Sequence, residues 1–250
     1  MSADQPLARL DVGALEAAWQ QGQVVLLAPP QLASFRAASA QPSPAALQAL
    51  AASWGPGVVV GSGGSTGGRR WCFQPLSNLQ ASAAATAAWL QAQGMDPASC
   101  LHLNPLPLHH VSGLMPLVRS RSWGAQHQGL PAELLRQPHL LAEAVSLPPG
   151  QPALLSLVPT QLARLLAEPA ARAWLRQLAV VWVGGAALPE DLAQLARQEE
   201  IRLAPCYGAT ETAAMVCALT PERFLAGDGG DRKSTRLNSS HEWISRMPSS

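Results

Sequence analysis

The sequence predicts an α/β protein with a doubly wound, mostly parallel sheet. Short apolar runs alternate with longer Ala/Leu/Gln-rich stretches, several runs are β-branched and bounded by Gly or Pro, and several helical stretches carry Pro in the first turn. The chain has 250 residues, of which 48% are hydrophobic and 13% charged. This length accommodates one large unit or two small ones, and the composition argues against a disordered or fibrous chain.

The predicted elements alternate along the chain. Strands are predicted at Val24–Ala28, Val58–Gly61, Cys100–Asn104, Leu154–Val158, Ala179–Val183 and Ile201–Ala204. Helices are predicted at Pro44–Trp54, Ser77–Gln93, Ala132–Val145, Pro159–Leu166 and Pro189–Gln198. Since ligands of such sheets bind beyond the carboxyl ends of the strands, the loops that follow strands are where functional residues are expected.

Charge and apolar patterning exclude several classes of partner. The net charge of +1 supplies no basic surface for nucleic acid, so any anionic ligand needs a local site. No run approaches the roughly 20 apolar residues of a membrane span, and Met1–Gly13 lacks the features of a signal peptide. The cysteines have irregular spacing without a C-x-x-C motif, which predicts reduced thiols: Cys72, Cys100, Cys206 and Cys217. We therefore expect a cytoplasmic protein without a membrane span.

A glycine-rich loop, Gly61–Arg70, follows the second predicted strand and precedes the helix expected from about Ser77. Its backbone N–H groups can turn inward on a phosphate, and Ser62, Ser65 and Thr66 add hydroxyl donors. The loop lacks the Lys-Ser/Thr pair of a Walker loop, and it is not a G-x-G-x-x-G placed directly on a helix. Taken alone, it is compatible with a phosphate clamp or with a plain flexible loop.

A second segment, Leu106–Leu114, comes just after the strand that ends at Asn104. Its histidine at position 110 can gate a pocket or position a carboxylate, and Ser112 offers a hydroxyl beside it. The alternative is a hydrogen-bonded structural histidine. His109 and His110 are expected to point to different faces, so a metal shared between them is not expected.

Two further segments follow buried strands. Val181–Leu188 contains Gly-Gly, which permits either close approach of a flat ligand or a tight strand-to-helix turn. In Pro205–Thr212, Tyr207 is suited to stack on a base, while Thr210 and Glu211 are suited to hold a metal-bound phosphate. The alternative for this segment is a loop with a helix-capping threonine.

Together, and in this order, the motifs Ser-Gly-Gly-Ser-Thr-Gly, Pro-Leu-His-His-x-x-Gly, Gly-Gly-Ala and Tyr-Gly-Ala-Thr-Glu resemble the adenylate-forming superfamily of acyl-CoA synthetases and peptide-synthetase adenylation domains. Within it, the run Pro-Leu-His-His-Val-Ser-Gly-Leu is most similar to the o-succinylbenzoate:CoA ligases of menaquinone and phylloquinone synthesis. The resemblance implies the incomplete N-terminal domain of such an enzyme. It also implies ATP-dependent activation of a small carboxylate to an acyl-adenylate, followed by thioester formation with CoA.

The resemblance also implies residue roles. It implies phosphate binding by Ser62, Gly63, Gly64, Ser65, Thr66, Gly67 and Arg70, and adenine binding by Gly184, Gly185, Ala186, Tyr207 and Gly208. It implies acyl binding by His110, Ser112 and Gly113, and catalysis by Thr210, Glu211 and His110, with Glu211 holding Mg²⁺. Ser112 and Gly113 are expected to leave room beside His110 for an aromatic dicarboxylate. No general base is needed, because the nucleophile is already a carboxylate.

The sequence departs from the family pattern in several places. Arg69-Arg70 replaces the Pro-Lys that ends the family's phosphate loop, and a planar guanidinium is not equivalent to an ammonium. We expect a shortened N-terminal segment at 1–54, a partial AMP-binding domain at 55–230 and no C-terminal domain. The tail at 231–250 holds the only lysine, Lys233, and is expected to be non-native. Such a chain is expected to be inactive or weakly active.

Other functions remain open at this point. The chain is compatible with another acyl- or aryl-CoA ligase, an adenylation domain, or a nucleotide-binding module without turnover. A Rossmann oxidoreductase requires an acidic residue about 20 positions after the glycine-rich loop, and residues 80–95 contain no Asp or Glu. The sequence therefore disfavours the oxidoreductase.

Overall fold

The computed structural model describes residues 12–29, 41–62 and 70–228, which form two β-sheets and the helices packed on them. The strands are β1 (Val24–Leu27), β2 (Gly57–Ser62), β3 (Arg70–Pro75), β4 (Leu101–Asn104), β5 (Gln126–Gly129), β6 (Ala153–Leu157), β7 (Val180–Val183), β8 (Leu203–Ala209) and β9 (Ala214–Ala218). The smaller sheet has the order β1-β2-β3, and the larger has the order β5-β4-β6-β7-β8-β9.

The helices are α1 (Val12–Gln20), α2 (Pro44–Trp54), α3 (Leu76–Gln91), α4 (Val111–Trp123), α5 (Ala132–Arg136), α6 (Leu141–Ala144), α7 (Pro159–Leu166), α8 (Pro169–Leu175), α9 (Glu190–Gln198) and α10 (Pro221–Leu225). Short 3₁₀ turns occupy Pro97–Ser99, Pro138–Leu140 and Thr210–Thr212. Within the described residues, no helix combines the length and apolar character that crossing a bilayer requires.

The predicted α/β class and mostly parallel sheet are confirmed. Strands β5, β4, β6, β7 and β8 are paired in parallel, and β1 is parallel to β2. Antiparallel pairing occurs where short connections join neighbours, in the β2–β3 and β8–β9 hairpins. The antiparallel pairs therefore lie at one edge of each sheet.

Alternate residues of the central strands pack into two different cores, because successive side chains of a strand point to opposite faces. Leu155 and Val181 belong to a cluster that includes residues of α7, α8 and α9. Leu154 and Trp182 belong to another, which includes Trp89 of α3. The larger sheet is thus covered on both faces, as the doubly wound prediction requires.

Helix α4 lies between the two sheets. Leu114 and Met115 are fully buried in a cluster with Val58 and Val60 of β2. The same helix contacts β4, β5, β6 and β9 of the larger sheet. This helix was not predicted, because its first residues belong to the Leu106–Leu114 motif and were interpreted as a segment following a strand.

One predicted helix is wrong. The stretch predicted as one helix at Ala132–Val145 is divided into α5, a 3₁₀ turn and α6, because the residue before Pro138 is pushed out of the helical region: Gln137 has φ −124° and ψ 68°. The helix expected from about Ser77 is found as α3, and the structure adds the unpredicted strand β3 before it, so the glycine-rich loop connects the two strands of a hairpin. The remaining predicted strands and helices are found, with differences at their ends.

Candidate active site

A cavity of about 750 Å³ opens at the carboxyl ends of β6, β7 and β8. Its walls also include the loop end of the β2–β3 hairpin and one side of α4. Ligand sites of doubly wound sheets lie at this position. Of the residues singled out from the sequence, those lining the cavity are Ser62, Arg70, His110, Ser112, Gly184, Gly185, Gly208, Thr210 and Glu211.

The last residue pair of the β2–β3 hairpin before its connecting loop places the two ends of the glycine-rich loop at the cavity. Ser62 and Arg70 are register partners in the antiparallel ladder, Ser62 buried and Arg70 exposed. The remaining phosphate-binding candidates, Gly63, Gly64, Ser65, Thr66 and Gly67, lie outside the described residues. The structure therefore locates the ends of the proposed phosphate clamp.

The turn that carries Thr210 is fixed by side chains from two other elements. Gln74 of β3 donates a hydrogen bond from Nε2 to the Thr210 carbonyl at 2.7 Å. Ser82 of α3 donates its hydroxyl proton to the Ala213 carbonyl at 2.9 Å. Ala213 and Ala214 follow with φ of 53° and 78°, a left-handed backbone that costs about 1–3 kcal/mol per residue. Contacts from elsewhere in the fold thus hold a strained turn at the cavity wall.

Glu211 is an exposed carboxylate on this turn. No ion pair with Glu211 is found among the described residues. Burial, together with the charge of Glu211, raises the pKa of the nearby Cys72 thiol. The described residues contain no group of three or more His, Cys, Asp or Glu side chains that could hold a metal ion. A single carboxylate completed by phosphates and water suits Mg²⁺.

The two adjacent histidines lie together, and the expectation that they point to different faces is wrong. Their ring centroids are 4.5 Å apart with an angle of 51° between the planes. His110 is the N-cap of α4 and lines the cavity, whereas His109 is absent from the lining. The helix begins directly after His110, which turns the chain and leaves both rings on one side.

Asn104, at the end of β4, holds the segment that precedes α4. Its side chain is 4% exposed, donates from Nδ2 to the Gly113 carbonyl at 2.7 Å and accepts from the Leu106 N–H at 3.1 Å. A Cβ on Gly113 would lie 2.2 Å from the Pro107 carbonyl oxygen. The room expected beside Gly113 is therefore occupied by backbone, and the glycine serves close packing of the chain.

The adenine-binding candidates are divided between the cavity and the outer surface. Gly184, Gly185 and Gly208 line the cavity, but Ala186 and Tyr207 do not. Tyr207 is 68% exposed. A Cβ on Gly208 would lie 1.8 Å from the Ala214 carbonyl oxygen, so the hairpin requires glycine there. The structure brings the glycines to the site and leaves the tyrosine outside its lining.

Sequence reasoning missed Arg119, which lines the cavity from α4 while only 3% of its surface is exposed. Its Nε has no hydrogen-bond partner, and no described carboxylate forms an ion pair with it. Burial lowers the pKa of Arg119 to about 10, so the guanidinium is still charged at neutral pH. The signal was available, because Ser112, Met115 and Arg119 are spaced by three and four residues and share a helix face.

Trp182 and Cys206 form the cavity wall next to this arginine. The Arg119 Cζ atom lies 5.1 Å from the centroid of the Trp182 ring, within the range of a cation–π contact. Burial raises the pKa of Cys206 to about 12, so its thiol remains neutral. The one buried charge in this part of the cavity is therefore positive, as far as the described residues show.

The family model of the AMP-binding enzymes matches residues 12–236. The chain belongs to the AMP-binding enzyme family. The match includes every described residue and every site candidate, and it starts before the domain boundary expected at residue 55.

Relatives in this family carry related names. The chain is 26% identical over 176 residues to the 2-succinylbenzoate–CoA ligase of Geobacillus sp. strain WCH70, covering 70% of this chain and 34% of the relative. It is 39% identical over 113 residues to the ligase of the same name from Escherichia coli K12, covering 45% of this chain and 22% of the relative. The chain thus spans about a third or less of the length of these AMP-binding relatives.

Solved structures of AMP-binding enzymes are similar as well. An o-succinylbenzoate CoA synthetase from Bacillus subtilis, bound to a product analogue, has a TM-score of 0.55 at 25% identity, covering 69% of this chain and 33% of its own. The same enzyme with ATP and magnesium ion has a TM-score of 0.53 at 26% identity, covering 66% of this chain and 33% of its own. ATP and magnesium are therefore bound within this family.

Proposed function

We propose that this chain is part of an ATP-dependent acid–thiol ligase that activates an aromatic dicarboxylate, o-succinylbenzoate. In this reaction a carboxylate oxygen attacks the α-phosphorus of ATP and pyrophosphate leaves. The thiol of CoA then attacks the acyl carbon and AMP leaves. The names of the relatives support the reaction, and the cavity supports the class of acid. A cytoplasmic location and a role in quinone synthesis belong to the same proposal.

The buried guanidinium of Arg119 is the observation that carries the choice of a dicarboxylate. A buried charge without a partner is costly, and a ligand carboxylate removes that cost. Thr210 and Glu211 line the same cavity on β8 and the turn that follows it. One carboxylate of the acid would react beside these two residues, and a second would pair with Arg119. A simple fatty acid has no second anion to offer.

The other residues receive roles on the same basis. Ser62, Arg70 and the glycine-rich loop would hold the β- and γ-phosphates, and Gly184, Gly185 and Gly208 would leave space for adenine. The Thr210 hydroxyl would donate to an α-phosphate oxygen, and Glu211 would hold Mg²⁺, which supplies charge stabilisation as negative charge develops on that phosphate. His110 and Ser112 would contact the acyl group at the start of α4.

Calorimetry with o-succinylbenzoyl sulfamoyl adenosine, a stable analogue of the acyl-adenylate, tests the proposal on the 250-residue chain. Arg119→Met should weaken binding on the order of 10- to 100-fold, since a charge-assisted hydrogen bond contributes about 1.5–3 kcal/mol. Arg121→Gln is the matched control, because Arg121 is on the same helix but exposed and paired with Glu16. Equal affinities of the two variants would contradict the proposed acid.

A nucleotide-binding fragment without turnover is the second candidate, since the cavity brings Gly184, Gly185 and Gly208 together with the two ends of the glycine-rich loop. The fragment would bind the same analogue, release no pyrophosphate from ATP and o-succinylbenzoate, and form no thioester with CoA. Pyrophosphate release measured beside the calorimetry separates the two candidates.

A further inference from the structure

Two indole rings and one guanidinium lie in contact in a row beside the cavity, the two indole planes tilted by 45°. The ring centroids of Trp89 and Trp182 are 5.9 Å apart, and the Arg119 Cζ atom lies 5.1 Å from the Trp182 centroid. Trp182 and Arg119 are each 3% exposed, and both line the cavity. Trp89 supports Trp182 and is absent from the lining. The cation–π contact is therefore desolvated, the condition in which such a contact is strongest.

The contact orients the guanidinium without neutralising it. A carboxylate in place of the indole would form an ion pair and cancel the charge, whereas the ring attracts the cation only through its quadrupole. The Nε of Arg119 and the Nε1 of Trp182 are both buried without a hydrogen-bond partner in the described structure. The wall thus keeps a full positive charge and two unused N–H donors.

The indole is held by its strand. Trp182 lies in β7, which is paired on both sides, with Ser156 of β6 and Ala204 of β8 as register partners. Its neighbours in the strand, Val181 and Val183, pack into the opposite core. The ring is therefore built into the sheet, and it sets where the more adaptable arginine side chain can lie.

We propose that Trp182 is a positioning residue that makes the cavity selective for acids with a second carboxylate. It does so by holding Arg119 in place without compensating its charge. This inference rests on the proposed function, because Arg119 must receive a carboxylate of the substrate. Trp182 itself takes no part in the transfer of the acyl group.

The test compares two acyl-sulfamoyl adenosines by calorimetry on the 250-residue chain. One is the o-succinylbenzoyl compound, and the other is its counterpart without the second carboxylate. Trp182→Leu should weaken the affinity for the compound with two carboxylates about tenfold. It should change the affinity for the compound without the second carboxylate by less than about twofold. Trp182→Phe, which keeps a ring face, should restore most of the preference. Trp174→Leu is the matched control, since it removes a buried indole from the core on the opposite face of the same sheet.

The outcomes separate the inference from the function on which it rests. If the unaltered chain binds both compounds equally or neither, the dicarboxylate proposal fails and the inference fails with it. If the unaltered chain prefers the diacid and Trp182→Leu keeps that preference, the inference alone is overturned. A loss of preference in Trp174→Leu equal to that in Trp182→Leu would assign the effect to core packing and also overturn it. Should Trp182→Leu not fold, an unchanged preference in Trp182→Phe supports the inference and a lost preference overturns it.

Discussion

The proposed role of Arg119 depends on the burial of its charge. The cavity-lining residues Gly184, Gly185, Thr210 and Glu211 could be predicted because they come directly after strands β7 and β8, where a motif is visible. Arg119 is in a helix, and its importance comes from the absence of a described counter-charge, which depends on residues far apart in the chain. Sequence patterns locate the polar groups of a cavity more readily than its buried charges.

If the proposed function holds, replacing Glu211 by Gln, or Thr210 by Ala, should slow acyl-adenylate formation about 100- to 1,000-fold, because these groups would then act on charge that develops in the transition state. Pyrophosphate release with ATP, Mg²⁺ and o-succinylbenzoate measures the rate. Glu222→Gln is the control for Glu211→Gln, since Glu222 is a surface carboxylate paired with Arg202 at 3.0 Å. Similar losses in both glutamate variants would show that Glu211 has no special role.

His102 should make the fold sensitive to acid. Its ring is 1% exposed, its Nε2 has no hydrogen-bond partner, and burial, with the charges of Arg119 and His127, lowers its pKa to about 3. Between pH 6.5 and about pH 3, His102 is protonated in the unfolded chain but neutral in the folded protein. The contribution of His102 to the free energy of unfolding is therefore fully present above pH 6.5 and is lost as the pH falls through this range. The expected slope is up to about 1.4 kcal/mol per pH unit.

Urea unfolding between pH 7 and pH 4 measures this slope. His102→Phe should flatten it, because the apolar ring takes up no proton in either state. His139→Phe is the control, since His139 is exposed on a surface turn. An acid limb that is equally steep in the unaltered chain and in His102→Phe would contradict the assignment.

The segment between β4 and α4 shows how an element sets the position of a site residue. Gly113→Ala should destabilise the fold by about 3 kcal/mol, because the added Cβ would lie 2.2 Å from the Pro107 carbonyl oxygen and the backbone cannot easily move. Gly129→Ala in β5 is the matched control, with nothing within 4 Å of its added Cβ. Thermal unfolding measures the stability of the two variants. Equal stability would show that the segment before α4 shifts to accommodate the added Cβ.

Among the elements, those with a clear apolar period were predictable and the polar ones were not. Helices α2 and α7 were predicted at their observed bounds because proline marks the first turn of each. Strand β5, with the sequence Gln-His-Gln-Gly, has no apolar alternation, and it forms because β4 offers a paired edge. Strand β3 is likewise defined by its partner β2. Tertiary pairing, which a local pattern does not record, accounts for these omissions.

Helix α4 packs against strands of both sheets, and we expect it to couple their unfolding. Leu114→Ala should lower the free energy of unfolding by about 2–5 kcal/mol, because Leu114 is fully buried in the cluster that contains β1 and β2 residues. Transitions followed by far-ultraviolet circular dichroism and by tryptophan fluorescence should shift together. Leu225→Ala, at a position 37% exposed, is the control. Two separated transitions in Leu114→Ala would show that the sheets unfold independently.

The pairing of Ser62 with Arg70 has an evolutionary consequence. Because the ladder holds these two residues opposite each other, it fixes where the stretch between them leaves and rejoins the sheet. The entropy of closing such a stretch grows slowly, by about 0.6 kcal/mol for each doubling of its length. Substitutions and insertions at positions 63–69 can therefore accumulate in a lineage at little cost to the fold.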